Sequence, residues 1–437
     1  MSSPHVISLG CRLNLAESET IRALLSDRDM VVINSCAVTN EAVKQTRQAI
    51  RRARRERPGA ELVVTGCAAQ IDPTAFAAMP EVDRVIGNAE KLQASAWASP
   101  EPVVVQDIMG VRETAPHLAA SFSTHARAFV EVQNGCDHRC TFCAIPYGRG
   151  NSRSVPAGAV IDRVAQLAES HAEVVLTGVD LTSYGPDLPG APSLGQLVER
   201  ILAHVPRLRR LRLSSLDGIE VDDRLFALLT GEPRLMPHVH LSLQAGDDMI
   251  LKRMKRRHSR AQSVALVERL RAARPEIAIG ADLIAGFPTE DEAMFANTLA
   301  LIADCGIVHA HIFPYSPRSG TPAARMPQVP PAIVKDRAAR LRAEAGRVRD
   351  NWLQSLVGST QQVLVERPGD RGHAGNFAEV RFSAQEIGSI VQVQITGVES
   401  NTLTATLPRH SREGGNPFSL QGIMDPRLRG DDEGESM

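Results

Sequence analysis

Gly135-Cys136-Asp137-His138-Arg139-Cys140-Thr141-Phe142-Cys143 is the stretch on which the reading of this chain turns. It places three cysteines within eight residues, spaced CxxxCxxC. Thiolates hold iron–sulfur clusters, which take four protein ligands when they serve only electron transfer. Three thiolates leave one metal position open, and an open position is what catalysis needs. A zinc knuckle or three structural cysteines are the competing readings. Zinc wants a fourth ligand, and His138 is the one at hand. It lies between two of the cysteines on a very short loop, which weighs against zinc.

The loop follows a candidate strand, Ala128–Val132, and opens a series of alternating strands and helices. Further strands are expected at Glu173–Thr177, Arg209–Ser214, Val239–Leu243, Ile277–Ile284 and His309–Phe313. Helical patterns lie between them, at Ala157–Ser170, Leu194–His204, Arg260–Ala273 and Glu290–Cys305. Six βα units fit a barrel or partial barrel, whose site lies at the carboxyl ends of the strands. An Arg-rich helix, about Pro331–Leu356, closes this part. Upstream, apolar runs at His5–Leu9, Met30–Asn34, Glu61–Thr65 and Val82–Ile86 read as buried parallel strands. Helices near Glu17–Leu25 and Asn40–Arg57 separate the first three. This is the pattern of a doubly wound α/β domain of roughly 100 residues. Downstream of Thr360 the period falls to two, and four short strands suggest a small β-barrel of about 50 residues. Residues 99–124 have weak periodicity and three prolines and read as a linker. Residues 409–437 are polar and rich in Gly, Arg, Asp and Pro, the composition of a disordered tail. The tail's SREGGNP…MDPRLRGDD string resembles a peptide encoded by bacterial intergenic repeats, and no function is assigned to it.

Composition narrows the class. The chain has 437 residues, a prior for two to four domains, with 43% hydrophobic and 23% charged residues. No apolar run approaches the roughly 18 residues of a membrane span. The first eleven residues lack a basic segment followed by a long apolar one, so no signal peptide is expected and a cytoplasmic location is. The net charge of −1 selects no partner. Aromatics at 4% argue against an RNA surface built mainly of stacked rings. Seven cysteines without an export signal point to metal ligands, catalysts or buried fillers rather than disulfides.

Three more cysteines share a topological position. Cys11 follows Ile7-Ser8-Leu9-Gly10, Cys36 follows Val31-Val32-Ile33-Asn34-Ser35, and Cys67 follows Leu62-Val63-Val64-Thr65-Gly66. Each stands at the carboxyl end of an expected strand of the first domain. Neighbouring parallel strands lie about 4.8 Å apart, and ligands bind outside such strand ends. The three thiols would converge there as a second metal site, or each is a small buried hydrophobe. Cys305, near a helix end, reads as structural.

The CxxxCxxC segment resembles the signature of radical S-adenosylmethionine (SAM) enzymes. That family implies a six-unit partial barrel, with the open iron of the Cys136/Cys140/Cys143 cluster chelating SAM and one electron cleaving it. The resemblance continues along the barrel. It implies that Phe142 packs near the adenine, and that the SAM-amine motif falls at Val175–Asp180, with Gly178 and Asp180. It implies ribose contact by Gln244, a SAM-carboxylate partner in Arg256, and a further ribose or amine contact in Asp282.

With two cysteine triads and a terminal small barrel, about Pro4 to Pro408 resembles the methylthiotransferases. The implied architecture is α/β: a flavodoxin-like doubly wound N-terminal domain (1–98, carrying an auxiliary cluster), a linker (99–124), and a radical-SAM partial (β/α)6 barrel (125–357). A small all-β TRAM barrel (358–408) and the tail follow. The resemblance also implies two [4Fe–4S] clusters, the auxiliary one on Cys11, Cys36 and Cys67. Two SAM molecules would be consumed: one methylates a sulfur carried by the auxiliary cluster, the other gives the radical that opens a carbon to it.

Within the family, Val32–Ala42 and Gly10-Cys11-Arg12-Leu13-Asn14 resemble the type that modifies threonylcarbamoyl-adenosine of tRNA; Ser35 stands where threonine is usual. The alternatives are a ribosomal-protein aspartate or isopentenyl-adenosine of tRNA. From a different class, a plain RNA-binding protein with degenerate metal sites remains. Expected partners are the anticodon arm of tRNA and a reducing electron donor, with no membrane and a monomeric chain. From Lys44 to Arg57 seven cations stand against Glu56. Such a run is usually a solvated face; beside a site at Cys36, Arg51, Arg54 and Arg55 are read as phosphate contacts.

Overall fold

The structure is a computed structural model, and it describes residues 4–112 and 125–408. The expected tail, 409–437, and residues 113–124 of the expected linker lie outside the described residues.

The N-terminal sheet has five parallel strands: His5–Ser8, Met30–Ser35, Glu61–Gly66, Arg84–Ile86 and Val103–Val104. Their runs of Val, Ile and Leu are those of a sheet covered on both faces. Val6, Val32, Val63 and Ile86 point to one side and pack on Ile21, Leu25 and Trp97. Val31, Ile33, Leu62, Val64 and Val85 point to the other and pack on Ile50, Ala53 and Phe76. The strands follow one another in sequence order, without the reversal that makes a switch point in a doubly wound sheet. The fifth strand lies inside the stretch expected as linker and pairs with Arg84–Ile86. Two residues are too short for any period to show.

The central domain holds two curved sheets of parallel strands. Arg127–Glu131, Glu173–Thr177 and Arg210–Leu213 form one. Ser215–Leu216, His238–Gln244, Ala278–Ala285 and Ile307–Pro314 form the other. The strand expected at Arg209–Ser214 therefore breaks at Ser214 and continues in the second sheet. Helices return the chain between strands. Two of them start with capping boxes, Ser193 with Gln196 and Ser259 with Gln262, which satisfy backbone donors that a helix start leaves free. The aliphatic layer between helices and strands is the main core.

The lumen of this partial barrel is polar. Glu173 is fully buried and takes Arg127 at 2.9 Å and Arg212 at 3.1 Å. Burial alone pushes its carboxyl up, but Arg212 and Arg127 overcome that and hold it at about 2. The helix Pro331–Ser355 leads to a closed five-stranded barrel: Thr360–Glu366, Arg371–Ala374, Glu379–Arg381, Ile390–Glu399 and Thr402–Thr406. A loop of this small barrel places the Phe377 ring under the guanidiniums of Arg12, Arg127 and Arg212, 4.8–5.6 Å from its centroid. Glu366 of the small barrel also pairs with Arg127.

Candidate active site at two cysteine triads

The six cysteines come together as two groups. Cys11, Cys36 and Cys67 follow the first three strands of the N-terminal sheet; Cys36 lies within electrostatic reach of Cys11 and Cys67, and Cys11 within reach of Cys67. Glycines permit this approach. Gly10 has φ +95°, and a Cβ there would sit 2.7 Å from Cys36 Cβ and Sγ. Gly66 has φ +92° and would meet the Ser35 backbone. Both positions demand glycine on conformation as well as space.

Polar side chains hold the strand ends. Asn14 Nδ2 donates to Leu9 O (2.7 Å) and Ser35 O (3.0 Å), tying the turns before Cys11 and Cys36 together. The buried Ser35 hydroxyl accepts from the N–H groups of Ala68 and Ala69, each at 3.2 Å, and so fixes the short helix Cys67–Ile71. A threonine hydroxyl at this position could accept the same two bonds.

Behind this triad lies a charge network that sequence reading missed. Arg149 is buried at the end of the helix Ile145–Arg149, just past Cys143. It donates to Glu17 at 2.9 and 3.0 Å and to Asn14 Oδ1 at 2.5 Å. Lys91, also buried, donates to Glu17 Oε2 (2.6 Å) and Asn88 Oδ1 (2.7 Å). Asn88 in turn donates to Cys67 Sγ at 3.5 Å. Two buried cations thus share one carboxylate. Burial pushes the Glu17 carboxyl up, and Arg149 with Lys91 overcomes this and holds it at about 2. The surplus cation lies within electrostatic reach of Cys11 and Cys67.

The second triad sits on the loop after Arg127–Glu131. Gly135 at φ +73° lets the loop turn; a Cβ there would sit 1.9 Å from Asn151 O. Burial pushes the Cys143 thiol up to about 12 and the Cys36 thiol up to about 11. Thiols this protonated become ligands only when a metal displaces the proton. The residue set suits such a metal: three convergent sulfurs in each group, no disulfide among them, and buried cationic charge nearby to balance the thiolates. The His138 ring goes to Asp180, with Nε2 2.6 Å from Oδ2, and not to a fourth-ligand position.

The other expected residues ring the same mouth. Arg256 donates to Cys140 Sγ (3.6 Å), Asp217 Oδ2 (3.0 Å) and Ser242 O (2.8 Å). Asp180 follows the strand Glu173–Thr177, and its N–H is held by Gln133 Oε1 at 2.9 Å. Gly178 leaves room for that glutamine, since a Cβ would lie 3.0 Å from it. Gln244 ends its strand at φ +68°. Phe142 packs edge-on against Phe287, centroids 6.3 Å apart. Asp282 lies mid-strand, its Oδ1 3.0 Å from both His240 Nε2 and His311 Nδ1.

The two triads adjoin. Cys67 is within electrostatic reach of Cys143, and a Cβ on Gly148 would sit 3.1 Å from Cys67 Cβ. The arginines behave differently from one another. Arg51 and Arg55 are exposed. Arg54 is committed to structure, donating to Asp83 (2.5 Å), Glu81 O, Pro58 O and Ala60 O. The helix Asn40–Glu56 runs back from the carboxyl edge of the sheet. At 1.5 Å per residue it carries Arg51 to Arg55 roughly 16–22 Å from its start near Cys36, so this charge flanks the sheet's far edge rather than the cysteines.

Comparison with known proteins agrees with this geometry. Residues 130–302 match the Radical SAM superfamily, and residues 4–87 match the Uncharacterized protein family UPF0004. The threonylcarbamoyladenosine tRNA methylthiotransferase MtaB of Rickettsia prowazekii is 49% identical over 92% of this chain and 97% of its own length. The MtaB of Bacillus subtilis is 32% identical over 89% and 92%. In fold, the chain is similar to the radical SAM methyltransferase TsrM of Kitasatospora setae, with TM-score 0.52 and 15% identity over 73% of this chain and 78% of that one. With its two cysteine triads set at adjoining strand ends, the chain belongs to the radical SAM methylthiotransferase family, alongside the MtaB proteins.

Proposed function

We propose that this chain transfers a methylthio group to C2 of N6-threonylcarbamoyladenosine beside the anticodon of tRNA, acting in the cytoplasm as a monomer. One observation carries the reading: two three-cysteine groups, each short of a fourth protein ligand, stand within electrostatic reach across Cys67 and Cys143. Cys136, Cys140 and Cys143 would hold one [4Fe–4S] cluster, and Cys11, Cys36 and Cys67 the other. When bound, these groups supply reductive SAM cleavage and the sulfur to be transferred, driven by an external electron donor.

The chain's own residues do the rest. Arg256 lies beside Cys140 with its guanidinium directed to that mouth, suited to a SAM carboxylate. Asp180 and Gln244 stand at strand ends for the amine and ribose, and Gly178 keeps the backbone close. Asp282 keeps Oδ2 for a further contact, since Oδ1 takes both histidines. Phe142 offers an apolar edge for the adenine. Buried Arg149 balances thiolate charge and, through Glu17, holds the two domains in register. Arg51, ion-paired with Glu81 at 3.8 Å, and Arg55 are exposed and would meet the tRNA backbone, with the small barrel orienting the anticodon arm; among the described residues no helix is long and apolar enough to cross a membrane.

The test is anaerobic reconstitution of wild type and of Cys11→Ala/Cys36→Ala/Cys67→Ala. The variant is expected to keep about half the iron, as loss of one of two clusters requires, to cleave SAM under reduction, and to form no methylthio nucleoside. Full iron content in that variant would refute the second cluster.

A further inference from the structure

A cavity of about 360 Å³ opens beside the barrel lumen, near the low end of the ~300–1,000 Å³ range of small-molecule sites. All parts of the fold contribute to it: barrel strand Ile307–Pro314, helix Pro331–Ser355, the terminal small barrel, and Arg12 of the N-terminal domain. Its charge is one-sided, with Arg12, Arg342 and Arg349 against Glu379. Among the described residues none of these arginines has a carboxylate within 4.0 Å. Arg342 donates one bond, to Ile312 O at 3.2 Å. Arg349 donates to His309 Nδ1 at 3.2 Å and to Val308 O at 3.5 Å. A guanidinium carries five N–H donors, so these bonds leave donors of Arg342 and Arg349 for a ligand, although Arg342 is also open to solvent. Arg12 rests on the Phe377 ring and Arg349 has Glu379 and Asp350 as its charged neighbours, so the cavity keeps a net positive lining that an anion would balance.

The position narrows the anion. Arg12 is covalently next to Cys11, so the cavity begins one residue from the auxiliary triad. His240 lies four residues before Gln244 on one strand, so the adjoining lumen sits roughly 13 Å below the level expected for SAM. If the exocyclic arm of a nucleobase reacting between the triads enters this cavity, its charge decides how it fits. An isopentenyl arm is apolar and would bring no charge to these arginines. A threonylcarbamoyl arm ends in a carboxylate, which fits the forked donors of arginine.

We propose that this cavity binds the threonyl carboxylate of the substrate nucleotide, with Arg342 and Arg349 as its anion ligands and Arg12 lining the side nearest the cysteines. The inference rests on the function proposed above and adds the residues that select the substrate. It makes Arg342 and Arg349 specificity determinants.

The test uses the reconstituted holoenzyme and two synthetic anticodon stem-loops, one carrying the threonylcarbamoyl group and one its threoninamide analogue, which lacks only the carboxylate charge. Wild type is expected to bind the carboxylate form about tenfold or more tightly, the scale of a charge-assisted bond. In Arg342→Gln/Arg349→Gln this preference falls to about one, and in Arg342→Lys/Arg349→Lys it partly returns. Arg342 is exposed, so Arg342→Gln alone folds and reads the same loss, at least threefold, should the double variant not fold. A wild type without the preference, or glutamine variants that keep it, overturns the inference. Equal weakening of both RNAs also overturns it and marks the arginines as phosphate contacts. The proposed function fails separately, if wild type binds the threonylcarbamoyl stem-loop and never methylthiolates it.

Discussion

Glu17→Gln removes the one carboxylate shared by Arg149 and Lys91 while keeping its shape. Two cations then remain buried with no counter-charge in contact. Breaking a buried ion pair in this way costs about 3–5 kcal/mol. Arg149 and Lys91 overcome the cost of burial and hold the Glu17 carboxyl at about 2, well below its ordinary range. Because the folded value is depressed, this stability is fully present above pH 4.5 and is lost as pH falls from 4.5 toward 2. Glu17 and Arg149 lie in one compact unit, Met1–Leu407, and at about 2.1 cal/mol/K per residue such a loss should lower its melting point by roughly 4–6 °C. Calorimetry of the metal-free chain under reducing conditions at pH 7 reads this directly. Lys91→Met should shrink the penalty of Glu17→Gln by about 1–2 kcal/mol in a double-mutant cycle, since one stranded cation is then gone. A Glu17→Gln melting point within about 1 °C of wild type, or a penalty unchanged by Lys91→Met, would refute the argument that this network is held by charge.

Gly10→Ala forces a methyl to 2.7 Å from Cys36 Sγ at a left-handed φ; iron content after reconstitution should drop toward half, while Cys136, Cys140 and Cys143 still load. Ser35→Ala strips the acceptor from Ala68 and Ala69 and should cost about 1–2 kcal/mol in thermal melting, whereas Ser35→Thr should be near neutral. Arg51→Ala/Arg55→Ala should weaken tRNA binding and flatten the log–log salt slope by a little under two; Arg54→Ala, by contrast, should show mainly as lost stability, because its guanidinium is spent on Asp83 and three carbonyls. Truncation after Pro408 should leave melting and turnover near wild type, measured on the reconstituted enzyme.

What could be read in the sequence was whatever lay close along the chain or at a repeated topological place. The CxxxCxxC triad has a spacing, and Cys11, Cys36 and Cys67 each follow an apolar run, so both groups were legible before any coordinates. The small β-barrel was legible from its period of two. Long-range pairings were not. Arg149 and Glu17 stand 132 positions apart, and nothing local to either marks the bond. The His240, Asp282 and His311 cluster is built from residues of three separate strands, so no spacing along the chain marks it; Asp282 was named by resemblance alone and its two histidines were not. The Lys44–Arg57 run was legible as charge, but its placement depends on helix direction: a helix leaving the carboxyl edge of a parallel strand must run back to the amino edge. Val103–Val104 is too short to carry a pattern and is a strand only because the edge of Arg84–Ile86 offers it bonds.

The most direct measurement of the central claim compares tRNA nucleosides, by digestion and mass analysis, from a host lacking this gene and from its parent. The account predicts that the methylthio form of threonylcarbamoyladenosine disappears in the first, that the unmodified threonylcarbamoyl nucleoside accumulates in its place, and that the wild-type gene restores the product while Cys11→Ala/Cys36→Ala/Cys67→Ala does not. Unchanged tRNA nucleosides together with loss of a methylthio group from a ribosomal-protein aspartate would contradict it.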